Sequence, residues 1–289
     1  MKFIPKLSFK EDLKMEGFES IDLQEFSKRD WSNLEPNTPF APHRLEFFIL
    51  LIITKGSVRH KVDLKEFLVQ ENECLIISPN QIHALNTESD YHGHFFLFTK
   101  EYLLNYFTPN TYFHISQLFN YHLFNPVYQL DECMMDYAKR VATEYVYSPY
   151  VLKNQIISSL FSIILYKLNN RNLLIQSHQN SKQGFDLFEK FKNMIEDDYP
   201  HSRNVNDYAD KMNISYKHLN EISKRFTNRT AKEFLDDYII LEIKRKLSST
   251  SLSVKEICFT TGFDEPTNFI KYFKKATGIT PLEFRSINK

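Results

Sequence analysis

The chain is poor in cysteine, has no long apolar run, and carries no net charge, its 36 Lys and Arg balancing 36 Asp and Glu over 289 residues. Cys74, Cys133 and Cys258 are too few and too scattered for a disulfide framework or a zinc site, so reduced, buried thiols in a cytoplasm are expected. The longest apolar run, FFILLII at 47–53, falls far short of the roughly 18 residues that span a bilayer. The opening MKFIPKLSFKEDLK has no apolar h-region of a signal peptide. No membrane partner is expected.

The zero net charge hides an uneven distribution. Residues 213–289 hold 14 Lys and Arg against 9 Asp and Glu, while the remainder holds 22 against 27. A basic end on a mildly acidic body suits a polyanion confined to that end. With 42% hydrophobic and 25% charged residues the composition is that of an ordinary soluble protein, and the length allows two domains, each with its own core.

Residues 47–54, 59–63, 67–69, 74–78 and 94–98 read as short strands rich in Ile, Leu, Val and Phe. Turn-type residues separate them at Lys55-Gly56, Asp63, Glu71-Asn72 and Pro79-Asn80. Closely spaced strands with such turns, over about 40–100, predict a small barrel or jelly roll. Residues 131–148 and 150–169 follow as helices, with Tyr137, Val141 and Tyr145, then Ile156, Leu160, Ile164 and Leu168, at 3–4 spacing and Pro149 between them. Two such helices pack on the barrel or pair with another subunit; the pattern is compatible with both. The polar stretch 169–183, NNRNLLIQSHQNSKQ, is the expected linker, and everything from Gly184 onward reads as helix.

That last region contains one unit written twice. Residues 205–226, VNDYADKMNISYKHLNEISKRF, and 253–273, SVKEICFTTGFDEPTNFIKYF, each place a small residue (Ala209, Cys258) four positions before one that tolerates positive φ (Asn213, Gly262). An apolar anchor follows, Leu219 or Phe269. A small residue lets two helices cross closely, and Gly or Asn makes the sharp turn of a helix-turn-helix. The step from turn to anchor is six residues in the first copy and seven in the second, so the two helices are not expected to enter their grooves identically, and an asymmetric, direct-repeat-like site is expected.

Capping boxes at Thr230/Glu233, Ser253/Glu256 and Thr280/Glu283 mark helix starts. The predicted helix from Ala231 to about Ser248 is roughly 27 Å long, a plausible spacer between two reading helices that must sit about 34 Å apart to face one side of B-DNA. In the first unit Leu219, Ile222 and Phe226 form the inward set, which leaves Tyr216, Lys217, Asn220, Glu221 and Lys224 outward. In the second, Phe269, Tyr272 and Phe273 point inward and Thr267, Asn268, Lys271, Lys274 and Lys275 outward. Asn pairs bidentately with adenine, Lys reaches guanine or phosphate, and a Thr methyl contacts thymine.

The run Ile257-Cys258, Gly262-Phe263, Phe269 to Phe273-Lys274, Gly278-Ile279-Thr280-Pro281 and Phe284-Arg285 resembles the AraC/XylS family of bacterial transcription regulators over roughly 184–289. The first unit departs from the family pattern: Asn213 and Asn228 stand where Gly is usual, and Ser223 where an aromatic is common. Asn still allows the left-handed turn, and Phe226 is expected to offset the lost aromatic. Cys258 replaces the usual Ala. Residues His43 to Gly56 and Pro79-Asn80-Gln81-Ile82-His83 resemble the family's cupin-like regulatory domain.

The resemblance implies an α+β protein. A cupin-like β-barrel with packed helices over 1–168, the linker 169–183, and an all-α domain of two helix-turn-helix units joined by a linker helix over 184–289 would make up the chain. It implies a cytoplasmic, nucleoid-associated regulator, an activator, working as a homodimer on double-stranded promoter DNA with RNA polymerase and a small-molecule effector. The candidate effector pocket is His43, Arg44, Glu46, His60 and His83; these residues pair with one another or face solvent in the alternative reading. Placing Gly56 at the end of the first cupin motif puts Leu45 and Ile49 where metal-binding cupins carry His and Glu. Two remaining histidines are fewer than the three ligands of a catalytic metal site, so no metal, cofactor or catalytic residue is expected. Two other readings are a cupin-type metal enzyme with a helical appendage, and a regulator whose barrel serves only to dimerise.

Overall fold

The structure is a computed structural model, described at residues 4, 6–7, 15–28, 40–85, 91–121, 124–173 and 182–288. It forms two compact units, Pro5–His178 and Gln179–Lys289 together with Met1–Ile4.

The first unit is built on two five-stranded sheets. One runs in the order β1 (Lys6–Leu7), β3 (His43–Leu45), β8 (Ile82–Leu85), β5 (Ser57–Val62) and β6 (Lys65–Gln70). The other runs β10 (Val127–Gln129), β7 (Glu73–Ile77), β4 (Phe48–Lys55), β9 (His92–Phe98) and β2 (Phe18–Asp22). The five expected strands are β4, β5, β6, β7 and β9. The turns between β4 and β8 all carry positive φ where the sequence places turn residues: Gly56 (79°), Asp63 (54°), Asn72 (60°) and Asn80 (67°). Asn and Asp reach this region because their short polar side chains bond locally. Strands β2, β3, β8 and β10, and the short helices α1 (Leu23–Lys28), α2 (Lys100–Tyr106) and α3 (Pro109–Ser116), carry no comparable periodic signal.

Strand β4 explains the layering. Its apolar run is buried on both faces: Ile49, Leu51 and Ile53 join Leu45, Val58, Val62 and Leu85 between the sheets. Leu50 and Ile52 instead join Phe96, Phe98, Val141, Phe161 and Leu165 beneath the helices. Side chains alternate along a strand, so an unbroken run requires a cover on each side. That cover is α4 (Glu132–Tyr147) and α5 (Lys153–Leu173), whose apolar stripes pack on their own sheet.

The expected linker begins too early. Helix α5 continues through Asn169 to Leu173, with Asn169 only 1% exposed and Arg171 Nη1 donating to the Gln129 carbonyl on β10. Tertiary anchoring of this last turn overrides the polar composition. Residues 174–181 lie outside the described residues, and α6 opens at Lys182, two residues before the expected Gly184.

The second unit is helical throughout: α6 (Lys182–Asp198), α7 (Val205–Lys211), α8 (Tyr216–Thr227), α9 (Ala231–Ser249), α10 (Val254–Thr260), α11 (Pro266–Thr277) and α12 (Pro281–Ile287). All three capping boxes form, each with the Ser or Thr oxygen accepting from the Glu backbone N–H and the Glu carboxylate accepting from the cap. Helix α9 is buried along its length by Phe234, Leu235, Tyr238, Ile239, Ile243 and Leu247. No helix among the described residues is long and apolar enough to cross a membrane.

Gly262 and Gly278 both hold φ near +80°, but their surroundings differ. A Cβ on Gly262 would lie 2.0 Å from the Pro200 carbonyl oxygen, whereas one on Gly278 would meet nothing within 4 Å. Gly278→Ala should therefore cost about 1–2 kcal/mol from backbone conformation alone. Gly262→Ala should cost more, because a backbone carbonyl must also move; chemical denaturation of the two variants checks the ordering.

Candidate nucleic-acid interface

Each helix-turn-helix pair is set by its turn. Between α7 and α8, Met212 bonds back to the Tyr208 and Ala209 carbonyls, Asn213 takes φ 55°, and Ser215 Oγ accepts from the His218 N–H at 3.2 Å. Between α10 and α11, Gly262 takes φ 79° and Glu265 precedes Pro266 without a side-chain cap bond. The second connection is one residue longer, 261–265 against 212–215, as the uneven turn-to-anchor steps require. Cys258 is buried in its crossing, with Sγ 3.5 Å from the Phe263 carbonyl.

The buried faces anchor the pair. Leu219, Ile222 and Phe226 are buried on α8, and Phe269 and Phe273 on α11. Ser223 is fully buried where the family favours an aromatic. Phe226 fills the space beside it, its ring 5.3 Å from Phe188 and 5.9 Å from Phe185. Tyr272, expected to be inward, is half-buried and donates from its hydroxyl to Asp236 on α9 at 2.9 Å.

The opposite faces are open. Tyr216, Lys217, Glu221 and Lys224 are exposed on α8, and Thr267, Asn268, Lys271, Lys274 and Lys275 on α11. His218 and Arg225 are exposed on α8 as well; they lie one position from Lys217 and Lys224, and helical spacing reveals them. Asn220 differs from the expectation. It is half-buried, and its amide oxygen accepts from the Ala231 N–H at 2.9 Å, so the acceptor needed for bidentate pairing with adenine is already engaged. It ties α8 to the first turn of α9.

Between the two helix-turn-helix units lies a groove with a cavity volume of about 1100 Å³. Its wall includes Arg203, Lys232, Phe263 and Tyr272, and a smaller hollow extends it past Lys232 to Tyr216 at the start of α8. Arg203 sits in the α6–α7 loop and Lys232 in the first turn of α9. Neither is on a recognition helix, so amphipathic periodicity does not reveal them.

In the first unit the structure gathers part of the expected pocket. His43, His60 and His83 are buried together: His60 Nε2 lies 3.0 Å from His83 Nδ1, and the His43 and His83 rings are 4.2 Å apart. They sit on β3, β5 and β8; His43 is paired directly with His83, while His60 lies diagonal to it, opposite Leu85. Arg44, between buried His43 and Leu45, takes the other face of β3, and Glu46 is exposed beyond the strand; neither joins the trio. Leu45 and Ile49, at the metal-ligand positions of the cupin motif, are packed into the inter-sheet core. Among the described residues no group of three or more His, Cys, Asp or Glu is placed to hold a metal ion.

Burial lowers all three histidine pKa values, that of His60 to about 3, with the positive charge of neighbouring imidazolium adding to the effect at His60 and His83.

Residues 208–287 match a family described as helix-turn-helix domain, and residues 33–136 match one described as AraC-like ligand binding domain. The Msm operon regulatory protein of Streptococcus mutans is 34% identical over 94 residues, 32% of this chain and 34% of that protein. The melibiose operon regulatory protein of Escherichia coli K12 is 24% identical over 120 residues, 41% and 40% of the two chains. The chain thus spans about a third to two fifths of the length of these relatives. A solved structure of ToxT from Vibrio cholerae aligns over 95% of this chain and 100% of that one at 11% identity, with a TM-score of 0.44.

A helical unit with two capped helix-turn-helix pairs, joined in one chain to a cupin-like unit of two sheets, defines the class. In both units the chain resembles regulators of the AraC family.

Two outcomes check this geometry. The folded pKa of His60 lies below the unfolded value of 6.5, so between the two the unfolded chain binds the proton and the folded one does not. Stability is complete above pH 6.5 and is lost as pH falls. Denaturation at pH 7 and pH 5 should show about 2 kcal/mol of this loss arising at His60, and His60→Gln should remove that share. Asn220→Ala should lower stability by about 1 kcal/mol through the lost bond to the α9 terminus, read by thermal unfolding.

Proposed function

We propose that the chain is a sequence-specific DNA-binding transcription regulator that lays α8 and α11 into adjacent major-groove segments of a promoter. The observation that carries this reading is the pair of exposed faces, Tyr216, Lys217 and Lys224 on α8 and Thr267, Asn268, Lys271 and Lys274 on α11, each opposite a buried anchor stripe. Lys and Asn at such positions reach base edges and phosphates. Glu221 suits a cytosine amino group. The relatives, operon regulatory proteins and in one case the transcriptional activator RhaS of Pectobacterium carotovorum, support activation, with RNA polymerase as partner and the cytoplasm, at the nucleoid, as the place of work.

The first unit, in this reading, senses a small molecule or joins two chains. The observation that favours the second role is the filled inter-sheet core: Leu45, Ile49, Leu51, Val58, Val62 and Leu85 occupy the space where a ligand would sit. Arg44 and Glu46 then belong to the rim of any effector site rather than its floor.

The test is fluorescence anisotropy on a duplex selected from a random pool by the full chain. Binding should weaken steeply with salt as counterions are released. Lys217→Ala, Asn268→Ala and Lys271→Ala should each cut discrimination between sites by about 1–3 kcal/mol where the side chain makes a good base contact. Unchanged discrimination in all three would place the reading faces elsewhere.

A further inference from the structure

The two helix-turn-helix pairs are joined by more than the linker helix. The Arg203 guanidinium, on the α6–α7 loop of the first pair, lies over the Phe263 ring in the turn of the second, 3.9 Å from its centroid. The Phe263 ring meets the Tyr272 ring on α11 at 5.1 Å. The Tyr272 hydroxyl donates to Asp236 Oδ1 on α9 at 2.9 Å, the same oxygen that accepts from Lys232 Nζ at 2.7 Å. Lys232 Nζ also donates to the Arg203 carbonyl at 3.3 Å, which closes the circuit. Beside it the Pro200 carbonyl packs against Gly262 so tightly that no Cβ would fit.

From this geometry we propose that the circuit Arg203–Phe263–Tyr272–Asp236–Lys232 is a spacing gauge: it fixes the distance and angle between α8 and α11, and so the separation of the two base-pair groups that one chain accepts. The inference rests on the DNA-reading function proposed above. Four segments meet in the circuit: the loop before α7, the first turns of α9, the turn before α11, and α11 itself. The last three adjoin a recognition helix directly or through one short turn, and the first reaches α8 through α7. A rotation of one pair against the other must break either the cation–π stack or the tyrosine–carboxylate bond, and the low accessibility of Phe263, 3%, means that water does not replace the lost stack. A linker helix alone holds two units at a fixed separation but leaves the rotation about its axis to side-chain packing; the circuit removes that freedom. Its members are positioning residues, since they carry the relation between reading helices and contact no base in this scheme.

Arg203→Ala and Tyr272→Phe test it, with Arg203→Lys as the conservative variant that keeps charge and loses the planar stack. In the full chain with Cys133→Ser, spin labels at Lys217→Cys and Lys271→Cys report the α8–α11 distance by double electron–electron resonance. The distance distribution should broaden in Arg203→Ala and Tyr272→Phe, and in Arg203→Lys to a lesser degree; an unchanged width at unchanged melting temperature overturns the proposal. On unlabelled chain, the selected duplex is compared with duplexes carrying one base pair inserted or deleted between the two contacted segments. The wild-type preference for the native spacing should fall about fivefold in either variant, the factor that corresponds to one lost hydrogen bond or stack, while affinity for sites mutated within either segment falls in parallel with wild type. A preference that stays at the wild-type ratio overturns the gauge. If the wild-type chain selects no duplex, the DNA-reading function fails, and the label distances still decide whether the circuit fixes the two helices.

Discussion

Helix α9 is the constraint on which the C-terminal unit depends. At 19 residues it is about 28 Å long, and its apolar side chains are buried from Ala231 to Leu247. Its first half meets Phe188 and Phe191 of α6 through Phe234, and Tyr199 through Tyr238. Its end accepts bonds from Arg285 of the tail at the Leu247 carbonyl, and Arg285 also reaches the Leu252 carbonyl. A helix anchored at both ends passes the orientation of one pair to the other.

Within this helix Glu242 and Arg245 are buried and bonded at 2.6 Å. Two charges taken out of water repay their desolvation only when both are well satisfied, and removing one partner alone leaves an uncompensated buried charge. Both groups lie one turn apart on α9 itself, so the bond closes wherever that helix forms and is a poor source of stability.

Much of the second unit was legible in the sequence. The three capping boxes, the left-handed Asn213 and Gly262, and the inward stripes are local signals, because a cap or a turn is decided by residues within a few positions of one another. The first unit was legible less completely. Strand β4 announced itself by an apolar run, while β3 and β8, three and four residues long, are specified by their partners across the sheet. The polar stretch from Asn169 read as a linker because composition says nothing of the β10 carbonyl that Arg171 reaches.

The candidate site divides in the same way. The sequence alone determined which residues of α8 and α11 face away from the core, since 3.6-residue periodicity needs no tertiary information. It also determined that the two copies differ, in the length of their turns. Only the tertiary structure decided that Asn220 spends its amide oxygen on the start of α9, that His60 joins His43 and His83 while Arg44 and Glu46 do not, and that Arg203 and Lys232 stand between the two pairs. Each of these depends on a partner far away in the chain, 11 residues for Asn220, 23 for His60 with His83, and 29 for Lys232 with Arg203. Such separations are closed by packing, and packing is not written in the spacing of any one segment.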